Sequence, residues 1–260
     1  MSPVFHQTSE EYRTESAQIS PLWRVWAPIV APIALGAIAA IDPDRYYAYF
    51  EGEQGVLEFL HALLPLLAAA IAMRLLFTAS IRRDALVAAW LAFFVIGGLY
   101  LGGEEASWGQ HYFGWSTPEG WAEINRQEET NLHNTSFWLD RFPRIVMTVG
   151  IIVGGLILPY IKLRRPDLIP PRLDFIVPPL ALSTLTAVMI AGEILSGLRE
   201  TTGAIGSILH FRPGEMQENF ITAFIFFYVV ALGQRARRVR PTVPATGRAA
   251  LGGGRLAPGE

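Results

Sequence analysis

Long uninterrupted apolar runs limit the folds that this chain can adopt more strongly than any other feature of its sequence. A helix needs about 20 apolar residues to cross the hydrocarbon core of a bilayer, and lipid offers no partner to an unpaired backbone amide. Six runs reach or approach that length, at about residues 22–41, 56–79, 85–101, 143–161, 173–198 and 218–234. The sequence therefore predicts an all-α integral membrane protein with about six transmembrane helices, in agreement with a hydrophobic share of 51%.

The basic residues predict how these helices are oriented. Lys and Arg accumulate in cytoplasmic connections, and here they follow the second, fourth and sixth runs, as Arg74, Arg82, Arg83, Lys162, Arg164, Arg165, Arg172, Arg235, Arg237, Arg238 and Arg240. We therefore expect a multi-pass protein of the bacterial cytoplasmic (inner) membrane with both termini in the cytoplasm. The predicted organisation is a flexible tail over residues 1–20, a transmembrane domain over 21–235 and a disordered basic tail over 236–260.

The first apolar run contains "ALGAIAA" (34–40), whose small residues are typical of a signal-peptide cleavage site. The polar stretch ahead of this run is long for the positively charged start of a signal peptide. We therefore predict that the run is retained as a transmembrane helix.

The remaining connections are acidic and contain most of the histidines. Residues 102–142, the longest connection, hold seven acidic residues against two arginines. Depletion of Lys and Arg on the outer side would by itself make these connections acidic. It does not explain why four of the five histidines, His61, His111, His133 and His210, lie on the same predicted side.

The connection over residues 102–142 is too long for a turn and too polar for a span, and it contains four of the seven tryptophans. Trp is enriched at membrane–water interfaces, so we predict an interfacial or re-entrant helical segment. Ser116-Thr117-Pro118-Glu119 is typical of a helix start, which predicts a helix over 118–133. At four-residue spacing Asn125, Glu129 and His133 would form one stripe on that helix.

Acidic side chains near the outer ends of several apolar runs are expected to converge. Glu58 and His61 are three residues apart on the second run, and Glu104 and Glu105 end the third. Glu193 lies inside the fifth run, where an ionisable group is costly and usually faces the interior of the bundle or water. The sixth run begins near Glu215 and Glu218. The sequence therefore predicts an outward-facing polar pocket.

Three blocks in the same region are similar to those of a known family. "GEEASWGQ" (103–110), "FGWSTPE" (113–119) and "INRQEETNLHN" (124–134) resemble the signature of an uncharacterised family of bacterial multi-span membrane proteins. His111 stands where that family has an arginine, and Glu128 where it has a small residue. The resemblance implies a characteristic polar set made of Glu104, Glu105, Ser107, Trp108, Gln110, Asn125, Gln127, Glu129, Asn131, His133 and Asn134. It implies no activity.

The residue chemistry favours a metal-dependent hydrolase of a lipid or lipid-linked substrate at the outer leaflet. Carboxylate and imidazole ligands suit zinc, iron or manganese, and a metal-bound water with a glutamate as base would cleave an ester or amide. Glu58 with His61, or Glu129 with His133, would bind the metal. We predict Glu105, Glu129 and His133 as catalytic residues and, as the polar pocket, Glu104, Ser107, Gln110, Asn125, Gln127, Asn131, Asn134 and Glu193.

Two other functions stay open at this stage. Glu193 and the facing carboxylates suit proton- or ion-coupled transport, although the polar groups gather on one side and no inverted repeat is visible. A polar network that satisfies itself suits a non-catalytic scaffold that docks a partner in a membrane complex. Cysteine is absent, which excludes thiolate sites, and Ser107 has no histidine at a spacing typical of a serine nucleophile. The basic stretch 235–240 indicates orientation, and we expect no nucleic-acid partner.

Overall fold

The structure, a computed structural model, describes residues 7–52, 55–202 and 213–238. Within these ranges the chain is mainly helical and contains no strand, which confirms the predicted all-α membrane fold. The principal helices are α1 (Ser9–Ala17), α2 (Leu22–Ile41), α3 (Val56–Leu76), α4 (Ala85–Glu105), α5 (Phe137–Arg164), α6 (Ser183–Thr202) and α7 (Pro213–Arg238).

Five segments of the described chain are long and apolar enough to cross a bilayer, namely α2, Pro43–Leu76 with α3, α4, α5 and Met216–Arg238 of α7. The fifth predicted run differs, because its apolar helical part is shorter, Leu180–Leu195, and regular α-helix begins only at Ser183. Pro178 and Pro179 have no backbone N–H to donate, so the chain before α6 forms separate 3₁₀ turns over Pro171–Ile176 and Leu180–Leu182. α6 still packs along α7.

The core forms where α3 packs against α4 and α7. An ideal Cβ built on Gly98 would lie 2.6 Å from the carbonyl oxygen of Pro65, and one on Gly102 would lie 2.7 Å from that of Ala62. Glycines one turn apart thus let the backbones of α3 and α4 approach each other, as small residues do in membrane helix pairs. This close approach holds the first turns of α3 beside the last turn of α4.

Residues 7–17 do not form the flexible tail that the sequence predicted. α1 starts with a capping box in which the Thr8 side chain accepts from the N–H of Glu11 and the Glu11 carboxylate accepts from the N–H of Thr8. Tyr12 is fully buried and donates to the carbonyl of Pro178 at 2.6 Å. The prediction was wrong because its evidence was local polarity, whereas the helix is held by residues far away along the chain.

The segment between α4 and α5 is not the helix that the sequence predicted over 118–133. Within residues 118–133 only Glu119–Ala122 is α-helical, and turns follow up to the 3₁₀ turn His133–Thr135; a second short helix of the segment, Gln110–Phe113, precedes this range. Asn125 Oδ1 accepts from the N–H groups of Gln127 at 2.9 Å and Glu129 at 3.2 Å, so the side chain takes donors that a helix would use. Glu128 has a left-handed φ of 56°, which also ends helical geometry.

Two predicted features lie partly outside the described residues, namely the C-terminal tail and the connection between α6 and α7. α7 continues to Arg238 with Ala236 buried, so the predicted disorder from residue 236 is wrong for its first three residues, which α7 packing keeps helical. The rest of that tail and His210 lie outside the described residues, as does the side chain of Glu215.

Candidate functional site

A polar cavity of about 330 Å³ lies where the ends of α3, α4, α5 and α7 meet the segment between α4 and α5. A smaller cavity of about 80 Å³ beside it shares Glu105, His133 and Glu218 with the larger one and adds His61 and Glu104. The larger cavity combines carboxylates, arginines, histidines and amides, and its lining comprises Glu58, Glu105, His111, Arg126, Gln127, Glu129, His133, Asn134, Asp140, Arg144 and Glu218. We call this larger cavity the polar cavity.

Glu58, His61 and Glu105 form the one group of possible metal ligands found in the described residues. Each offers a ligand atom, and these atoms all lie within 4.8 Å of one another. Glu58 and His61 share a face of α3 because they are three residues apart, and Glu105 is the last residue of α4. Two donors at metal-binding distance of one ion are separated by about 3.5 Å, so small side-chain movements would bring this trio to an ion.

His61 is the most constrained member of this group. Its side chain has no exposed surface, and neither ring nitrogen has a hydrogen-bond partner in the described chain. Nδ1 lies 3.8 Å from Oε2 of Glu58 and 3.9 Å from Oε2 of Glu218, too far for hydrogen bonds. Buried polar atoms are rarely left unpaired in proteins, and the carboxylates of Glu58 and Glu218 are the charged groups nearest to this imidazole.

Three charged residues that were not among the predicted site residues also line the polar cavity, namely Arg126, Asp140 and Arg144. Arg144 donates to Asp140 at 2.7 Å and lies 2.5 Å from Oε1 of Glu218, while Arg126 lies 3.6 Å from Asp140. Glu218 therefore has one oxygen near a guanidinium and the other near His61. The sequence did contain a signal for two of these residues. Asp140 and Arg144 stand four residues apart at the start of an apolar run, and this is the spacing of an ion pair on one helix face.

Glu104 attaches the connecting segment to α4. Its Oε2 accepts from the N–H groups of Leu132 at 2.7 Å and His133 at 2.8 Å, and its Oε1 accepts from the indole of Trp108 at 2.7 Å. The residue is only 2% exposed. Glu104 touches the smaller cavity, but both of its carboxylate oxygens are used to hold the connecting segment at Trp108, Leu132 and His133.

Glu129 lines the polar cavity, but its carboxylate is already occupied by donors. Oε2 accepts from Ser107 at 2.9 Å and from the amides of Asn131 at 2.6 Å and Asn134 at 3.1 Å. Burial raises the pKa of Glu129, but hydrogen bonds from His111, Ser107 and Asn131 outweigh burial, and the net effect lowers the pKa below its usual value. The carboxylate is therefore held ionised, and its saturation with donors weakens it as a base or a metal ligand.

The predicted pairing of Glu129 with His133 by helical spacing is wrong, because residues 123–132 form turns. Both residues nevertheless line the polar cavity. His133 Nδ1 lies 3.4 Å from Oε2 of Glu104 and is buried without a hydrogen-bond partner in the described chain. His133 therefore stays a candidate for proton exchange in the cavity, while the possible metal ligands gather at Glu58, His61 and Glu105.

A histidine lies beside Ser107, four residues further along the chain. His111 Nε2 lies 3.0 Å from Ser107 Oγ and 3.0 Å from Glu129 Oε1. In a nucleophilic triad the hydroxyl and the carboxylate use different ring nitrogens, whereas here both face the same one. Ser107 also has no exposed surface, so this trio lacks the geometry of a serine hydrolase.

The amides predicted for the polar pocket bond mainly to one another. Asn125 Nδ2 donates to Asn131 Oδ1 at 2.9 Å, and the Asn134 amide donates to Gln127 Oε1. Gln110 Oε1 accepts from the N–H of Thr130 at 2.7 Å. Gln127 and Asn134 reach the cavity wall. The main effect of these contacts is to fix the shape of the segment that covers the cavity.

Glu193 does not join the other carboxylates. It lines an apolar groove of about 470 Å³ with residues of α2, α6 and the first turn of α7, such as Ile33 and Phe220, and it is absent from the lining of both polar cavities. The predicted convergence thus holds for residues of α3, α4 and α7 and is wrong for Glu193. The reason is rotational, since Glu193 lies on the face of α6 directed at α2.

Comparisons with family models, with curated proteins and with solved structures found no match to this chain. The resemblance of its three sequence blocks to a family of membrane proteins therefore stays a prediction.

Proposed function

We propose that this protein is a metal-dependent hydrolase that acts on a lipid or a lipid-linked substrate at the membrane surface. Glu58, His61 and Glu105 would hold the metal. The observation that carries this proposal is the buried His61, whose ring nitrogens have no hydrogen-bond partner among the described residues, within 4.8 Å of the carboxylates of Glu58 and Glu105. Imidazole with carboxylates is a ligand set used for zinc, iron and manganese.

The residues around the metal ligands suit hydrolysis. A bound divalent ion would supply Lewis-acid polarisation of the scissile group and a water of lowered pKa. His133 lines both cavities and is the candidate to exchange a proton with the leaving group. Arg126 and Arg144 lie on the same wall and provide planar donors for an anionic group on the substrate.

The position of the cavity indicates the class of substrate. It lies at the ends of four helices, three of which are candidate membrane spans in full. Trp108 and Trp138, on the segment and helix beside it, are 54% and 73% exposed, and exposed indoles favour the interfacial layer of a bilayer. A lipid headgroup occupies the same layer, so it would reach the cavity without leaving the membrane.

The first test is metal content measured by inductively coupled plasma mass spectrometry on detergent-purified protein. Wild type is expected to contain stoichiometric zinc, iron or manganese, and His61→Ala and Glu105→Gln are expected to lose it. Glu129→Gln should keep the metal, because its oxygens are bound to other donors. Glu123→Gln is the matched control, since Glu123 is an exposed acid of the same segment.

Two results would overturn the proposal. One is folded wild type that contains no metal and takes none up from solution. The other is metal that His61→Ala and Glu105→Gln retain at the level of Glu123→Gln. Purified protein that does contain the metal would then be assayed for release of product from ester- and amide-linked lipids, with chelated protein as the blank.

A non-catalytic scaffold is the second candidate, and a specific observation favours it. Ser107, Asn125, Glu129 and Asn131 satisfy one another in the covering segment, as expected of a polar network that only holds the shape of a docking segment. Proton- or ion-coupled transport is a weaker alternative, supported by the buried His61 near Glu218. A metal-free wild type would leave these two, and proton flux in liposomes would separate them.

A further inference from the structure

A long apolar groove opens between α2, α3 and α7, and its lining is distinct from that of the polar cavity. Its volume is about 570 Å³, and side chains such as Leu35, Leu60 and Phe227 form its walls. α2 borders this groove and is otherwise little covered, with 6% of its apolar window buried. Protein interiors are close-packed, so a channel of this size inside a membrane requires an occupant.

Arg24 stands at one end of the groove and is incompletely bonded. Its Nε is buried without a hydrogen-bond partner in the described chain, and its Nη1 reaches only the carbonyl oxygen of Ser16 at 3.4 Å. Arg24 lies in the first turn of α2, and a helix that crosses a bilayer starts near the headgroup layer. A guanidinium with a donor to spare matches a phosphate oxygen.

Along α7 the groove lining runs from Met216 to Gln234, about 27 Å at 1.5 Å per residue, so the groove spans most of a bilayer core. Its part along α2, from Arg24 to Leu35, rises by about 16 Å and fits one hydrocarbon chain. Half of a bilayer core of about 30 Å is a similar distance, which is the depth that one acyl chain fills in its own leaflet. An apolar channel of this kind stays dry, so a lipid chain is the molecule the surroundings supply.

We propose that this groove binds one anionic phospholipid, with its phosphate on Arg24 and one acyl chain between α2, α3 and α7. The lipid comes from the leaflet at the end of the molecule that carries the exposed Arg237 and Arg238, where basic residues attract anionic headgroups. The site is separate from the proposed metal centre, because Arg24 begins α2 whereas the polar cavity lies near the opposite helix ends. The lipid fills the space between α2 and the core and fastens α2 to it.

Native mass spectrometry of the full chain, delipidated in detergent and titrated with phosphatidylglycerol, tests this site. Wild type is expected to bind one phosphatidylglycerol more tightly than phosphatidylcholine. Arg24→Gln should weaken binding at least about tenfold, the loss expected for one charge-assisted hydrogen bond. Arg13→Gln is the control, as Arg13 is an exposed arginine of α1 outside the groove lining.

The hydrocarbon part of the site is tested separately. Ala31 lines the groove, whereas Ala34 lines neither this groove nor the one beside Glu193. Ala31→Trp should abolish binding of the lipid, and Ala34→Trp should leave it unchanged. If Ala31→Trp fails to fold, Arg24→Lys, which keeps the charge and should bind better than Arg24→Gln, still decides the question.

Three outcomes overturn the proposal. Equal affinity for phosphatidylcholine and phosphatidylglycerol would contradict the preference for an anionic lipid. Identical binding by Arg24→Gln and Arg13→Gln would remove the role of Arg24. Binding that inorganic phosphate displaces completely would assign Arg24 to free phosphate and not to a lipid. Metal content is measured on the same samples, so loss of the lipid and loss of the metal centre are distinguishable.

Discussion

Glu104 and Glu105, adjacent residues at the end of α4, have different roles. Successive side chains of a helix point about 100° apart, so Glu104 turns toward the connecting segment while Glu105 faces the polar cavity. Glu104 accepts hydrogen bonds from Leu132, His133 and Trp108, whereas Glu105 shares its cavity with Glu58 and Glu218. One carboxylate is thereby committed to structure and its neighbour is available for chemistry.

The same substitution at these two positions is therefore expected to have opposite effects on stability. Glu104→Gln leaves only one oxygen for donors that now use two, and it should lower the free energy of unfolding by about 2–3 kcal/mol. Glu105→Gln removes a charge from a group of carboxylates and should leave that free energy unchanged or raise it. Thermal unfolding in detergent with a chelator present measures both, so that bound metal does not contribute. Equal losses of stability in both variants would contradict this division of roles.

At the scale of whole helices, glycines determine how close α3 and α4 approach. A Cβ on Gly98 would meet the carbonyl oxygen of Pro65 at 2.6 Å and the Cβ of Ala69 at 3.0 Å, whereas one on Gly97 would meet no heavy atom within 4 Å. The two positions are neighbours in the same helix. Comparing alanine at these two positions therefore separates the effect of helix–helix packing from that of helix propensity.

Gly98→Ala is expected to push α3 away from α4, and Gly97→Ala is not. Alanine is favoured over glycine inside a helix by about 1 kcal/mol, so Gly97→Ala should be neutral or slightly stabilising. Gly98→Ala should lower the unfolding temperature and also reduce metal content, because it displaces Glu58 and His61 relative to Glu105. Both quantities are measured on the same purified variants. Unchanged stability and metal in Gly98→Ala would show that this contact does not position the site.

Whole helices were easier to predict from the sequence than the connections between them. A transmembrane helix is read from composition and length alone, so α2 to α5 and α7 were recognisable. The segment from residue 106 to 136 is instead held by contacts such as Gln110 with Thr130, twenty residues apart, which no local pattern reveals. Glu58, His61 and Glu105 could be selected from sequence as candidates. That they lie together depends on the packing of α3 on α4.

The whole molecule has two chemically different ends. The end with the polar cavity has charged groups around open space, while the other is closed by buried ion pairs. There Lys162 bonds Asp174, and Arg235 donates to Glu15 at 2.8 Å and to the carbonyl of Phe175 at 2.8 Å. α1 contributes Glu15 and thus covers this end. An arrangement with one open and one closed end suits a reaction at a single membrane face better than a passage through it.

Labelling of single cysteines tests which membrane face carries the cavity. The chain contains no cysteine, so each introduced thiol reports alone. A Cβ on Gly120 meets no heavy atom within 4 Å, so Gly120→Cys should fold and, by the basic-residue pattern, react with a membrane-impermeant maleimide in intact cells. Arg13→Cys in α1 should react only after permeabilisation. The reverse pattern would place the polar cavity in the cytoplasmic leaflet, and the proposed substrate would then have to come from that side, although the proposed metal ligands would remain the same.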